Sequence, residues 1–267
     1  MANCIISLMP KHRIYTECFG GAASVLLQKP RSYAEVYNDK WDTVVNVFKV
    51  MRDPIHALEL KRVIELTPYA RAEFDQTGEV HLQAVVDPVE RARLTVLRSF
   101  AGFGSAATNA RHSTGFRSNS NRSGTTPAMD WVNLPSHIDA LVERLKGVTI
   151  ENREATTVIL QHDTKETLHY VDPPYVHSTR NMDRGNSAYE CEMSDDDHRL
   201  LAAVLRGVKG MVMLSGYESP LYAELYDGWQ RIERQCMADG ARQRTEVLWF
   251  NAAAWKNRPQ MQLLEVG

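Results

Sequence analysis

The sequence predicts a mixed α/β domain interrupted by a helical insertion, and three observations predict it. Strand and helix patterns alternate from Ile14 to Met51 and again from Val148 to Asn251. The stretch between carries helical periodicity without strands, and one short apolar strand ends in Asp172-Pro173-Pro174-Tyr175. Alternation of this kind builds a sheet covered by helices, and a change of pattern marks an inserted unit. The boundaries read as 1–52 with 147–267 for the α/β domain and 53–146 for the insertion.

Ile14 to Glu17 and Tyr33 to Tyr37 have the short β-rich pattern of strands, with helices expected at Ala22 to Gln28 and Trp41 to Met51. After Asp53-Pro54 come helical patterns at Ile55 to Leu66 and Leu82 to Phe100. A helix from Pro135 to Leu145 leads to a strand at Val148 to Glu151. Further strands are expected at Thr167 to Val171, Val208 to Ser215, Gln230 to Gln235 and Glu246 to Asn251, separated by helices at Asp195 to Arg206 and Pro220 to Tyr226.

Composition narrows the function classes. The chain has 267 residues, 43% hydrophobic and 24% charged, with a formal net charge of −2. No apolar run is long enough to span a bilayer, and the first residues lack a secretion signal, so a cytoplasmic protein is expected. Cys4, Cys18, Cys191 and Cys236 are scattered, with neither metal-ligand spacing nor a disulfide framework. No metal is expected. His162, His169, His177 and His198 also lack metal spacing and read as surface or loop residues. Asp195-Asp196-Asp197 reads as the acidic start of a helix. Trp131, Trp229, Trp249 and Trp255 read as core or interface aromatics.

The strand end at Asp172 has specific chemistry. A carboxylate at Asp172 and the carbonyl of Pro173 can accept both hydrogens of a planar amine, and Tyr175 offers a ring for stacking. Pro173 and Pro174 fix φ and hold the acceptors in place. The same four letters also read as a rigid turn after a buried strand. A second motif, Glu17-Cys18-Phe19-Gly20-Gly21-Ala22-Ala23, puts small residues where a strand gives way to a helix, so a nucleotide-like group can approach the sheet edge closely. Asp39 follows at the distance from a glycine turn at which an acid holds a ribose. Ser215-Gly216-Tyr217 reads as lining of the same edge or, preferably, as a turn.

A third feature is electrostatic. Between Glu90 and Asp130 no acid interrupts Arg91, Arg93, Arg98, Arg111, Arg117 and Arg122, and the later part is rich in Gly, Ser, Asn and Thr. This composition predicts an exposed loop over 102–129, with Phe103 and Phe116 free to wedge or stack. Arginine and asparagine are suited to phosphates and base edges, the alternative being a solvated loop without function.

Together these motifs resemble the Dam-like, alpha-group DNA adenine methyltransferases. Glu17 to Ala23 is similar to the family's Glu-Pro-Phe-x-Gly-x-Gly element, with Cys18 for proline and Ala23 for the last glycine. Asp172 to Tyr175 matches the catalytic tetrapeptide. The resemblance implies a Rossmann-like methyltransferase sheet with an inserted, mostly helical target-recognition domain. It implies S-adenosylmethionine as methyl donor, double-stranded DNA as partner, and methylation of the N6 amine of a flipped-out adenine, as in restriction–modification. Glu17, Phe19, Gly20, Gly21, Ala22, Asp39, Glu154 and Asp172 are then the cofactor residues, and Asp172, Pro173, Pro174 and Tyr175 the catalytic ones. Arg98, Arg111, Arg117, Asn119, Asn121, Arg122 and Tyr189 are the candidates for DNA. In this reading Asp172 does not deprotonate the amine beforehand, because a carboxylate of pKa roughly 4 is too weak a base. The family's Gly-Gly-Lys element lies ahead of the glycine turn and is expected to be encoded in frame just upstream of Met1, whose following residues to Pro10 look like the helix after it. Two further readings are a weakened or inactive DNA-binding homologue, and a methyltransferase acting on RNA or protein.

Overall fold

The chain leaves the first strand through two backbone positions with positive φ, Gly21 and Ala23, and this detail shapes the architecture around it. The computed structural model describes residues 2–102, 115–118, 124–179, 191–238 and 242–259. Two compact units divide the chain, one of Met1–Asn38, Arg153–Arg180 and Met193–Gly267, the other of Asp39–Asn152 with Asn181–Glu192. The fold is mixed α/β.

The first unit opens with α1 (Ala2–Leu8), β1 (Ile14–Glu17) and β2 (Ala34–Asn38). Ala22 to Gln28, expected as a helix, is a run of turns. With φ of 47° at Gly21 and 53° at Ala23, the backbone cannot enter a right-handed helix there. Isolated bonds such as Ala23 N–H to Gly20 C=O (2.7 Å) and Lys29 N–H to Val25 C=O (3.0 Å) replace a helical ladder. Lys29 then plugs the connection: its buried ammonium donates to Glu35 Oε1 (2.6 Å) and Ser32 Oγ (2.8 Å).

The second unit is helical: α2 (Asp42–Arg52), α3 (Pro54–Leu66), α4 (Arg71–Asp75), α5 (Glu79–Ala84), α6 (Pro88–Ala101), α7 (Pro127–Asn133) and α8 (Pro135–Leu145), followed by β3 (Val148–Glu151). Leu82 to Phe100 is therefore two helices, broken before Pro88, where Asp87 caps α6 by accepting from Val89 N–H. A proline is tolerated at a helix's first position but cannot donate within it. The last residues of the expected loop 102–129 belong to α7, which Thr126 caps. Arg93 is buried and stitches the unit together, its guanidinium forking onto both oxygens of Glu90 and reaching Glu73 Oε2 at 2.8 Å.

The first unit resumes with α9 (Ala155–Gln161), β4 (Thr167–Val171), α10 (Asp195–Gly207), β5 (Met211–Tyr217), α11 (Pro220–Leu225), β6 (Gln230–Ala238), β7 (Arg242–Phe250) and α12 (Ala252–Asn257). Among its strands the order is β2-β1-β4-β5-β7-β6. The pairs β1–β2, β1–β4 and β4–β5 are parallel, and β7 runs antiparallel to both β5 and β6. Every residue of β4 is buried, as expected of a central strand covered on both faces. Ser215 to Tyr217 is the end of β5 rather than a turn.

Two of the four histidines expected at the surface or in loops lie in the core instead. His169 and His198 are fully buried. His169 Nδ1 meets the Thr16 hydroxyl at 2.8 Å, and its Nε2 lies 3.5 Å from Asp163. Burial pushes its pKa down to about 4, so it is a neutral core residue at pH 7. His198 packs edge-on against Tyr222, whose hydroxyl lies 3.2 Å from Nδ1. The aspartate run starts α10 as expected, inside a capping box formed by Ser194 and Asp197. Trp131 and Trp249 are core residues.

Candidate active site

At the end of β1 the Glu17 carboxyl is turned inward and is 3% exposed. Its Oε2 accepts from the Tyr15 hydroxyl (2.7 Å) and from Leu26 N–H (2.8 Å), tying the strand to the far side of the turn. Burial raises its pKa to about 8 against the pull of these two donors, so Glu17 is mostly protonated at pH 7. It builds the turn from beneath.

Gly20 is required by a close approach inside the protein. A Cβ there would lie 2.2 Å from the ring of Tyr37 on β2, whose hydroxyl donates to Gly21 C=O (2.7 Å). Asn38, the last residue of β2, completes the clamp. Its carbonyl accepts from Gly20 N–H, its Nδ2 donates to Cys18 C=O and Arg153 C=O, and its Oδ1 accepts from Arg153 N–H. An asparagine at a strand end is an ordinary turn signal, so no sequence pattern announced this role.

The register of β1 on β4 pairs Glu17 with Tyr170. The glycine turn and the Asp172 segment therefore leave the sheet side by side, at the carboxyl edge where open α/β sheets bind ligands. Asp172 is half-buried. Its Oδ1 accepts from the Ser215 hydroxyl at 2.7 Å, and the Tyr170 hydroxyl lies 3.1 Å from the same Ser215 oxygen. Burial raises the Asp172 pKa to about 6, the Ser215 hydrogen bond opposes this rise, and the Glu246 carboxylate adds to it. Asp172 is therefore largely ionised at pH 7.

Tyr175 is held by two neighbours from other strands. Its hydroxyl donates to Glu246 Oε1 (3.2 Å), and its ring meets Tyr217 edge-on with centroids 4.5 Å apart. Ser215, Tyr217 and Glu246 lie on β5 and β7, far from the tetrapeptide in sequence. Their only sequence signal was that Ser215-Gly216-Tyr217 ends a strand.

The remaining candidates separate. Phe19 is half-buried and packs on the core that contains Cys18 and Val171. Gly21 is half-buried, and Ala22 and Glu154 are exposed, with Glu154 at the N-cap position of α9. Asp39 follows β2, and its Oδ1 accepts from Trp41 N–H at 2.8 Å. Arg98 departs from the reading as a DNA contact: it is 4% exposed, and its Nη1 donates to the carbonyl and hydroxyl of Thr77. Its position on α6 turns it into the unit.

Arg117 is half-buried, with Nη1 donating to Phe100 C=O at 3.1 Å. Beside it Phe116 packs on Tyr69 and Phe74 rather than standing free. Arg111, Asn119, Asn121, Arg122 and Tyr189, with Phe103, lie outside the described residues.

A paired glycine turn and acid-proline-proline-tyrosine segment at one sheet edge suits methyl transfer to an amine, and comparison with known families decides the matter. The family model described as D12 class N6 adenine-specific DNA methyltransferase matches residues 1–239. The chain belongs to that family. This methyltransferase is thus an adenine-specific DNA-modifying enzyme. No curated protein matches the methyltransferase. Among its described residues no helix is long and apolar enough to cross a membrane.

Proposed function

We propose that this methyltransferase takes its methyl group from S-adenosylmethionine and places it on the N6 amine of an adenine swung out of duplex DNA. What carries the reading is the ionised Asp172 carboxylate at the end of β4, braced on one oxygen by Ser215 and set next to the glycine turn that leaves β1. In this proposal residues 1–52 and 147–267 form the catalytic domain, and 53–146 form the target-recognition insertion.

The fit to the donor rests on the chemistry of the strand ends. Phe19, Gly20, Gly21 and Ala22 would hold it along the turn, with Asp39 for ribose hydroxyls and Glu154 and Asp172 as further acceptors. Glu17 acts through the shape of the turn, because its carboxyl faces inward. S-adenosylmethionine, when bound, supplies an electrophilic methyl group.

The adenine amine is a poor nucleophile because its lone pair is delocalised into the ring. Hydrogen bonds to Asp172 and the Pro173 carbonyl draw the nitrogen toward a tetrahedral geometry and stabilise the positive charge that grows on it. Even at a pKa of about 6 Asp172 is too weak to deprotonate the neutral amine first, so the proton leaves after the nitrogen has been methylated. Unstacking the base costs a few kcal/mol, and stacking on Tyr175 returns roughly 1 to 3 kcal/mol. Arg111, Arg117, Asn119, Asn121, Arg122 and Tyr189 are the proposed DNA contacts. Arg98 is left out because it is buried.

The test is transfer of labelled methyl from S-adenosylmethionine to duplex DNA, single-stranded DNA, RNA and protein in parallel, with digestion to nucleosides. Label in N6-methyldeoxyadenosine from duplex DNA is expected. Label confined to RNA or protein would overturn the proposal.

A further inference from the structure

The hydroxyls around Asp172 form a directed chain, and counting protons fixes its direction. Ser215 is fully buried and has one hydroxyl proton, which goes to Asp172 Oδ1 at 2.7 Å. The contact of 3.1 Å between Ser215 and Tyr170 must then have Tyr170 as donor. Burial holds the Tyr170 phenol protonated, its pKa well above the ordinary value, so this donor persists across the working range. The Tyr175 hydroxyl lies 3.2 Å from Glu246 Oε1, and the Tyr175 and Tyr170 phenols also favour the ionised Asp172, each less than Ser215 does. Asp172 thus receives Ser215 on one defined oxygen, and that serine is itself oriented from behind.

We propose that Ser215, oriented by Tyr170, is a positioning residue that occupies Asp172 Oδ1 and so presents Oδ2 to the adenine amine. The inference rests on Asp172 being the amine's acceptor. A carboxylate with two equivalent oxygens can rotate about its Cβ–Cγ bond, which is a broad torsion, and rotation would move the acceptor away from the nitrogen. The serine bond fixes that torsion before substrate arrives and favours the ionised acid, the form that accepts both from Ser215 and from the amine. The ionisable groups facing Asp172 are Tyr170 and Tyr175 from its own segment, Glu17 from β1 and Glu246 from β7. Both glutamates carry the same sign as Asp172 when ionised, and the two phenols act on it more weakly than Ser215, which leaves the serine as its main donor.

Ser215→Ala tests this in two ways. In the full chain, kcat for methyl transfer should fall on the order of 10- to 100-fold, with KM for DNA changed little. The acid limb of the pH–rate profile should move up by about one unit, the size of one charge-assisted hydrogen bond. Ser215→Thr restores the hydroxyl and should restore both, and Tyr170→Phe should shift the limb the same way by less. Independently of substrate, a 13C-carboxyl NMR titration, with Asp172 assigned through Asp172→Asn, should show Asp172 titrating higher in folded Ser215→Ala than in the wild type. That readout stands even if the wild type does not methylate adenine, which would refute the proposed function alone. Unchanged Asp172 titration in folded Ser215→Ala, or a wild-type kcat and acid limb, overturns the role of Ser215.

Discussion

Two neighbouring strands of one sheet each end in an acid, Glu17 buried and Asp172 half-buried, and the two acids hold their protons differently. Glu17 on β1 is pushed to about 8 and Asp172 after β4 to about 6, so near pH 7 the first is mostly neutral and the second mostly charged. Each accepts hydrogen bonds, but Glu17 accepts from its own turn, through Leu26 N–H and the Tyr15 hydroxyl. Asp172 is braced chiefly by the Ser215 hydroxyl, with weaker help from the Tyr175 and Tyr170 phenols, at the mouth of the sheet edge. Two carboxylates this close discourage each other's ionisation, and Asp172 is among the causes that raise Glu17. The difference teaches that an acid at a strand end becomes chemistry when the fold leaves its charge in place for a ligand, and becomes scaffold when burial neutralises it and the fold's own donors converge on one of its oxygens.

The sharpest way to break this comparison is Asp172→Ala. Methyl transfer should fall by about 10³-fold, the scale of losing a group that stabilises developing charge. The unfolding midpoint should be held or slightly raised, because a desolvated charge is removed. Next in size is the pH dependence of the wild type: turnover should drop about tenfold per unit as pH falls below about 6, as Asp172 takes up a proton. A profile flat through that range would contradict the need for its charge.

Glu17→Ala addresses the other acid. It leaves the Leu26 N–H and the Tyr15 hydroxyl unsatisfied, and denaturant unfolding should show a loss of roughly 2 to 4 kcal/mol, on the scale of about 1 to 3 kcal/mol for each stranded buried group. Gly20→Ala should cost about 1 to 3 kcal/mol by overpacking against the Tyr37 ring. The smallest effect is Glu17→Gln, which mimics the protonated acid. A raised folded pKa gives stability that is present at low pH and lost as pH rises through about 8. The glutamine variant lacks that loss, so its melting temperature should gain on the wild type between pH 5 and pH 8.5. Asp172 contributes the same sign up to about 6, and His169, pushed down to about 4, contributes the opposite sign below its ordinary range. A comparison within one position cancels both.

Much of this was legible in the sequence because it is written locally. β1, β3, β4 and α8 fall where the alternation and the turn residues put them, and Asp172-Pro173-Pro174-Tyr175 announces itself in four consecutive letters. What was not legible depends on partners distant in the chain. Nothing local marks Ser215 as the brace of Asp172 or Glu246 as the acceptor of Tyr175, since both pairings arise only when β5 and β7 join the sheet. Arg98 and Phe116 looked available because composition cannot reveal which way a side chain turns, and the fold turns one onto Thr77 and the other onto Tyr69 and Phe74. The apolar pattern at Ala22 to Gln28 suggested a helix because positive φ at Ala23 is invisible in an alanine.

The most direct test is where the proton sits. Infrared spectra of the protein at pH 7 should contain the carbonyl stretch of a buried protonated carboxylic acid that disappears in Glu17→Gln and persists in Asp172→Asn. A band that vanishes instead with Asp172→Asn would place the proton on the acid at the mouth of the site and contradict the division of labour between the two strand ends.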